Sequence, residues 1–231
     1  MSFALQIPCV MQHFFPETMA NLIKLCANAK YTVSIPENQT CCGLPYFEKG
    51  ELKAAKSIGE YNLNVFGQDQ LISGSPKCQD AYTSKYPKIF NNTVSHNESV
   101  ALAKNAVSLD TLFAKLTLNN IQSVKGSYYF VPDCKSSGKD TQALMDKFKS
   151  CTWVLPKLHA TCCGAGTCMP ITNKEYAFKM ALTLLNEATE AKADFIITQD
   201  DICRKHMENV AKAHHIEIKT LNIIDLFAQA L

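Results

Sequence analysis

The sequence predicts an α/β fold made of two pseudo-symmetric lobes, each a parallel-sheet βαβ unit flanked by helices, and three observations predict it. Short apolar runs alternate with longer segments of helical periodicity, the pattern that builds parallel strands joined by crossover helices. Thr40-Cys41-Cys42-Gly43 occurs again as Thr161-Cys162-Cys163-Gly164. The flanks of the two copies also correspond. Ile7-Pro8-Cys9 matches Pro132-Asp133-Cys134, Leu71-Ile72-Ser73 before Cys78 matches Ile196-Ile197-Thr198 before Cys203, and Leu112-Phe113-Ala114 matches Leu226-Phe227-Ala228. An internal duplication follows, with a first lobe over 1–120, a second over 121–231 and the split near Leu118 to Gly126.

In the first lobe, Phe3 to Ile7 is a short apolar run that suits a buried strand and delivers Cys9 at its end. Pro16-Glu17-Thr18 opens a helix, because proline is favoured at the first helical position and an acid there meets the positive end of the dipole. Met19, Leu22, Ile23 and Cys26 form its apolar side, and Cys26 reads as core. Tyr31 to Ile35 is the next strand, leading through Pro36 to Thr40 into Cys41-Cys42-Gly43. A helix from Gly50 to Phe66, a strand over Gln70 to Ile72, a loop from Ser73 to Cys78 and a helical stretch from Ser99 to Leu118 complete the lobe.

The second lobe repeats the plan. Ser127 to Val131 is a strand ending at Pro132-Asp133-Cys134, followed by a helix from Lys139 to Phe148 and a strand over Thr152 to Leu155 that leads to Cys162-Cys163-Gly164. Lys174 to Lys192 is the strongest helical pattern in the chain. Phe195 to Thr198 is a strand with Asp200 to Cys203 as its terminal loop, His206 to His215 is helical, and a short strand over Ile216 to Lys219 precedes a closing helix.

At 231 residues the chain can bury about 70 to 75% of the surface its unfolded form would expose, so no metal or disulfide is needed merely to make a core. A cysteine cluster is then functional. The net charge of +2 and the single arginine, Arg204, argue against a nucleic-acid reader. The N-terminal residues show no basic segment followed by an apolar one, and no stretch approaches the roughly 20 apolar residues of a membrane helix. A cytoplasmic location is expected, which makes the sequons at Asn38, Asn91 and Asn97 chance matches. Eleven cysteines in a reducing compartment point to metal or redox chemistry, and the odd count argues against complete pairing.

Ligands of a parallel α/β lobe collect beyond the carboxyl ends of its strands, and three strands per lobe end in a cysteine motif. Cys9, Cys41, Cys42 and Cys78 gather in the first lobe; Cys134, Cys162, Cys163 and Cys203 gather in the second. Four thiols converging from separate loops are a metal-site arrangement, and helix N-termini just past those loops favour thiolates. Structural zinc sites usually draw on C-x-x-C hairpins, which neither lobe has. Adjacent cysteines on extended backbone point to opposite sides, so each pair serves one site only where the backbone turns or the site is larger than one ion. Gly43 and Gly164 permit the turn, and a multi-iron cluster lets adjacent thiolates hold different iron atoms. Iron–sulfur is favoured over zinc.

The paired Cys-Cys-Gly motifs, each with a leading cysteine and a trailing one after a strand, resemble the cysteine-rich CCG domain family over essentially the whole chain. Ser73-Gly74-Ser75 before the trailing cysteine looks most like the lactate-utilisation branch of that family, which also includes heterodisulfide reductase and glycolate oxidase iron–sulfur subunits. The resemblance implies an electron-transfer subunit, non-catalytic or co-catalytic, in a multi-subunit complex that oxidises the 2-hydroxy acid L-lactate to pyruvate. It implies one or two iron–sulfur clusters of the [4Fe-4S] type per chain, held by the eight cysteines named above. Its partners are then the other subunits of that complex, with any peripheral membrane association made through them.

The fuller family pattern ends each motif with Cys-x-x-Cys. Ser75 and Asp200 stand where the first of those cysteines falls, which leaves four thiols per lobe, enough for an ordinary [4Fe-4S] cluster and one short of a five-thiolate non-cubane cluster. Asp201 or Ile202 lies where part of the lactate branch has a further cysteine. The Gly-Gly after the second motif is altered to Ala165-Gly166-Thr167-Cys168, and Cys168 is a candidate replacement ligand. His159 reads as a neighbour of the site or a solvated side chain, His214-His215 as a helix end, and Cys151 and Trp153 as core. Gly164-Ala165-Gly166 lacks the third glycine and the context of a dinucleotide loop, and neither a Walker loop nor a G-x-S-x-G elbow is present. Catalytic residues are therefore unassigned. Three other readings stay open: a heterodisulfide-reductase-like subunit, a zinc-binding or thiol–disulfide module cycling Cys41-Cys42 and Cys162-Cys163, and an assembly subunit whose loops serve docking.

Overall fold

The central strands of each sheet are too apolar to face water on either side. Phe3, Ala4 and Leu5 are all buried in one, as are Ile196 and Ile197 in the other, the continuous burial expected of parallel strands covered by helices on both faces. The computed structural model describes residues 2–67, 69–121, 124–134, 138–157, 162–166 and 168–231. The chain divides between Leu116 and Thr117 into two units.

The first unit runs β1 (Ser2–Gln6), α1 (Cys9–Phe14), α2 (Pro16–Asn28), β2 (Thr32–Ser34), α3 (Leu44–Glu48), α4 (Leu52–Phe66), β3 (Gln70–Ser73), α5 (Pro76–Asp80), a π-helical turn (Ala81–Lys85), α6 (Tyr86–Ile89), α7 (His96–Asn105), β4 (Ala106–Val107) and α8 (Leu109–Ala114). Its parallel sheet has the order β2-β1-β3-β4, with Phe3 paired to Val33 on one side and to Gln70 on the other. The second unit runs β5 (Gly126–Val131), α9 (Gly138–Met145), β6 (Cys151–Val154), α10 (Met169–Thr172), α11 (Lys174–Glu190), β7 (Phe195–Thr198), α12 (Asp201–Ala213), β8 (Lys219–Asn222) and α13 (Ile223–Gln229). Its sheet has the matching order β6-β5-β7-β8, again parallel throughout. The fold is α/β with two four-stranded parallel sheets, each flanked by helices.

In both units the chain leaves the second strand of the order for one edge and then crosses to its other side. Strand order reverses between β1 and β3, and between β5 and β7, the switch point at which ligands of open α/β sheets bind. Cys9 follows β1, Cys41-Cys42 follows β2 and Cys78 follows β3; Cys134, Cys162-Cys163 and Cys203 take the same places after β5, β6 and β7.

Four segments differ from the sequence expectation. The stretch from Ser99 to Leu118 is not one helix. α7 ends where Ala106 turns extended, β4 adds the edge strand, and Ser108 restarts the chain as α8 by accepting the Thr111 N–H at 3.2 Å. The segments read as loops before Cys78 and Cys203 are helix starts, and both trailing cysteines sit in a first turn. The strand expected over Ile216 to Lys219 lies later, at Lys219–Asn222, because His215 takes a left-handed turn (φ 55°) that delays it. The helices α1, α3, α6 and α10 have no counterpart in the sequence expectation. Among the described residues no helix is long and apolar enough to cross a membrane.

Candidate functional site

In the first unit, Pro8 caps α1 from extended backbone, so Cys9 is the first helical residue after β1. The Ile7 N–H donates to Gln39 Oε1 at 2.7 Å and ties this exit to the segment that enters the Cys-Cys-Gly turn. Gly43 is left-handed (φ 76°, ψ 0°), which turns the chain directly after Cys42 and returns the Gly43 N–H to Cys41 Sγ at 3.4 Å. Both cysteine carbonyls are tied down behind the thiols. Asn62 Nδ2 donates to the Cys41 carbonyl at 2.9 Å and to the Tyr86 hydroxyl at 3.0 Å, and that hydroxyl donates to the Cys42 carbonyl at 3.0 Å. Ser75 caps α5 and accepts the Cys78 N–H at 3.3 Å.

The four thiols come together. Hydrogen bonds connect Cys9 to Cys41, Cys41 to Cys42, and Cys42 to Cys78. The Cys41 sulfur is the acceptor, and donation from the Cys42 and Cys9 thiols and the Gly43 N–H holds its pKa well below the ordinary thiol value against the opposing effect of burial. Cys42 and Cys9 move the opposite way, first because each gives its proton to Cys41 and then because burial disfavours their charged forms. One thiolate is therefore stabilised by this arrangement alone. Four thiolates side by side repel one another unless a cationic centre lies among them.

The second unit repeats the geometry. The Asp133 N–H donates to Gln199 Oε1 at 2.6 Å, Cys134 Sγ lies 3.6 Å from Cys162 Sγ, and the Gly164 N–H reaches Cys162 Sγ at 3.4 Å. Burial repeats as well. Cys9 and Cys134 are exposed and Cys41 and Cys162 half-buried, while Cys42, Cys78, Cys163 and Cys203 are buried. Cys163 and Cys203 share one core with Met207, Leu184 and Val210. Gly164 is left-handed (φ 81°) and tightly enclosed, since a Cβ there would lie 2.7 Å from the Ala177 carbonyl oxygen. A ring nitrogen of the buried His206 hydrogen-bonds that same carbonyl at 3.1 Å.

The two positions that depart from the Cys-x-x-Cys pattern acquire a structural explanation. Ser75 and Asp200 are both N-caps, with Asp200 Oδ1 accepting the Ile202 N–H at 2.8 Å. Serine and aspartate are among the strongest capping residues. Each orders the first turn that carries its trailing cysteine. Next to Asp200, burial pushes the Asp201 carboxyl up to about 7, although Asn222 Nδ2 donates to it at 2.9 Å and Arg204 lies 3.9 Å away.

Cys168 caps α10 from left-handed backbone (φ 54°), in the loop after the second turn. Cys26 is buried within α2, and burial pushes its thiol up to about 12. Cys151 donates to the Val124 carbonyl at 3.3 Å and Trp153 Nε1 to the Phe148 carbonyl at 3.3 Å, both beside the sheet. His214 ends α12. Thr161 and His159 lie outside the described residues. No disulfide is formed among the described cysteines, and no group of three or more described His, Cys, Asp or Glu side chains is arranged to hold a single metal ion.

Sequence reasoning missed the polar groups behind the first set of thiols: Asn62, Tyr82 and Tyr86. A signal for two of them is present in Cys78, Tyr82, Tyr86 and Phe90, spaced four apart. Each such step over-rotates an α-helix by about 40°. The wider π turn at Ala81–Lys85 takes up the excess and keeps the stripe inside, with ring centroids 5.1 Å apart for Tyr82–Tyr86 and 5.9 Å for Tyr86–Phe90.

Fold and site together define a protein with two thiol cradles, each a parallel α/β unit bringing four cysteines to the carboxyl ends of three strands. The family model of the cysteine-rich domain CCG matches residues 3–81 and again 129–208, and the chain belongs to that family. It is 23% identical to lactate utilization protein A of Oceanobacillus iheyensis, over 98% of this chain and 96% of that protein, and 26% identical to lactate utilization protein A of Geobacillus kaustophilus, over 88% of each. It is also 18% identical to a fumarate reductase (CoM/CoB) polypeptide of Methanothermobacter marburgensis, over 96% of this chain and 45% of that protein. Among solved structures, a hypothetical protein from Helicobacter pylori shares the fold with a TM-score of 0.69 at 13% identity. That match covers 99% of this chain, which spans about half, 48%, of the other chain.

Proposed function

We propose that the chain is an iron–sulfur electron-transfer subunit of a multi-subunit complex that oxidises L-lactate, with Cys9, Cys41, Cys42 and Cys78 holding one [4Fe-4S] cluster and Cys134, Cys162, Cys163 and Cys203 a second. The observation that carries this is the repeated convergence of four thiols, alike in order, burial and backbone support, in a chain similar over nearly its full length to lactate utilization protein A. The residues fit such a group. Thiolates are the ligands of iron–sulfur clusters, and an extended cluster accepts adjacent cysteines on different iron atoms where a single ion does not. A cluster bound there supplies one-electron transfer.

The chain's own groups position and tune. Gly43 and Gly164 aim the adjacent thiols and give their N–H groups to Cys41 and Cys162. Asn62 and Tyr86 hold the Cys41 and Cys42 carbonyls, and burial of Cys42, Cys78, Cys163 and Cys203 keeps water from the inner side of each site. Cys168 is a reserve ligand in the second unit. The chain works with partner subunits in the cytoplasm, and substrate turnover belongs to the assembled complex.

The complex isolated anaerobically through a tag on this chain tests the proposal. Adding L-lactate should change the EPR signal that depends on Cys78 or Cys203. A signal that responds to glycolate and not to lactate would move the assignment to another 2-hydroxy acid, and the absence of any cysteine-dependent signal would remove the electron-transfer role. The close approach of Cys134 to Cys162 favours a second reading, a thiol–disulfide module. A reversible dithiol potential in iron-free protein would establish that one instead.

A further inference from the structure

Tyr82 carries a hydroxyl that the first unit places among its cysteines and does not use. The residue is 0% exposed, and its oxygen has no hydrogen-bond partner among the described residues. A buried donor is normally satisfied. The ring is fixed by edge contacts with Phe66 at 5.6 Å and Tyr86 at 5.1 Å. It packs in one core with Cys42, Cys78 and the half-buried Cys41. It follows Cys78 by four residues, on the same stripe, within the π turn that re-aims the chain there, and such turns recur at functional sites. The thiols of Cys42, Cys78 and Cys41 are near enough to the hydroxyl to act on it electrostatically. The neighbouring hydroxyl, on Tyr86, is already committed to the Cys42 carbonyl.

In the second unit the place four residues after the trailing cysteine is taken by Met207. It is 0% exposed, has no donor, and lies in the unbroken helix α12. Hydrogen bonds from the protein stabilise the more negative, reduced state of a cluster and so raise its potential.

We propose that the Tyr82 hydroxyl is a hydrogen-bond donor to the sulfur atoms of the cluster in the first unit, and that it raises the reduction potential of that site above that of the second unit. Tyr82 is on this account a positioning and tuning residue, a role that rests on the iron–sulfur reading above. It makes the first site the one that fills first with electrons.

The test uses the full chain, reconstituted anaerobically and titrated potentiometrically under EPR. The first-unit signal is identified as the one lost in Cys78→Ser. Tyr82→Phe should lower that midpoint by a tenfold change in the oxidised-to-reduced ratio, about 59 mV for a one-electron couple. It should leave the second signal in place, and Met207→Leu should move neither. In metal-free protein Tyr82→Phe should melt no lower than the unsubstituted chain, because it deletes a hydroxyl with no partner there. Unchanged potentials with iron content intact would overturn the tuning role and leave the clusters standing. A shift in both signals, or a lower melting temperature of the metal-free variant, would overturn it in favour of a general structural effect. Failure of the unsubstituted chain to take up iron and sulfide would remove both proposals together.

Discussion

The two trailing cysteines enter their sites in the same way and leave them differently. Cys78 and Cys203 both stand in the first turn after a capping residue, Ser75 or Asp200, at the end of a strand in the same sheet position. From Cys78 the chain runs through a short helix, a π turn and another short helix, and carries the Tyr82 and Tyr86 hydroxyls behind the thiols. From Cys203 it runs into one 13-residue helix whose buried face offers His206, Met207 and Val210. The thiol cradle is thus made by backbone devices that both units share: strand order, a left-handed glycine, a helix cap. The side chains behind it are free to differ. Gathering the thiols and tuning what they hold are separable properties of this fold.

Separability is open to direct attack, and the largest expected effect is on metal content. Cys78→Ser and Cys203→Ser should each remove about half of the iron and leave the other unit loaded. Elemental analysis of the purified variants checks this, and loss of all iron from either would mean that the sites are not independent.

Next in size is the contrast between the glycines. A Cβ at Gly164 meets the backbone of Ala177 at 2.7 Å, while one at Gly43 meets first the Ile58 side chain at 3.1 Å and backbone, the Ala55 carbonyl, no nearer than 3.8 Å. Both carry a left-handed strain of about 1–2 kcal/mol for any other residue, to which Gly164→Ala adds an overpacking cost of about 1–3 kcal/mol. Denaturant midpoints should therefore fall further for Gly164→Ala than for Gly43→Ala, and equal falls would show that α11 yields.

The caps come third. Ser75→Ala and Asp200→Ala should each cost about 1 kcal/mol, read from the same denaturant curves. A loss of iron larger than the loss of stability explains would promote either residue from cap to ligand.

The smallest effect has no counterpart in the first unit. The Tyr129 hydroxyl donates to Glu187 at 2.6 Å and, as the largest influence on it, holds that carboxyl below its ordinary pKa. A depressed folded-state value contributes stability above the unfolded carboxylate pKa and loses it as pH falls through the lower folded one. Tyr129→Phe should then cost about 0.5 kcal/mol at neutral pH, discounted for the exposure of Glu187. Melting at a pH below the carboxylate range should show no difference from the parent.

Much of this was legible in the residues. Alternating apolar runs and helical periods showed the α/β class, and the repeated Cys-Cys-Gly with its leading and trailing cysteines showed the duplication and pointed to the thiols that the first unit brings together. The positive φ of Gly43 and Gly164 followed from the need for adjacent thiols to share a site. What was not legible depended on local competition. Ser75 and Asp200 looked like absent cysteines because their sequence position says nothing of the helix starts they cap. Ser99 to Leu118 looked like one helix because the two-residue strand β4 is too short to show a period, and Ser108 marks a start that only its side-chain bond reveals. Tyr82 is not singled out by the sequence because a strict spacing of four drifts round an α-helix by about 40° per step, and a π turn has no composition signal of its own.

Iron and acid-labile sulfide per chain, determined on anaerobically isolated full-length protein, test the central claim most directly. Iron and sulfide are expected in equal amounts, with more than one iron atom for each set of four thiols. A single zinc ion per set and no sulfide would contradict it.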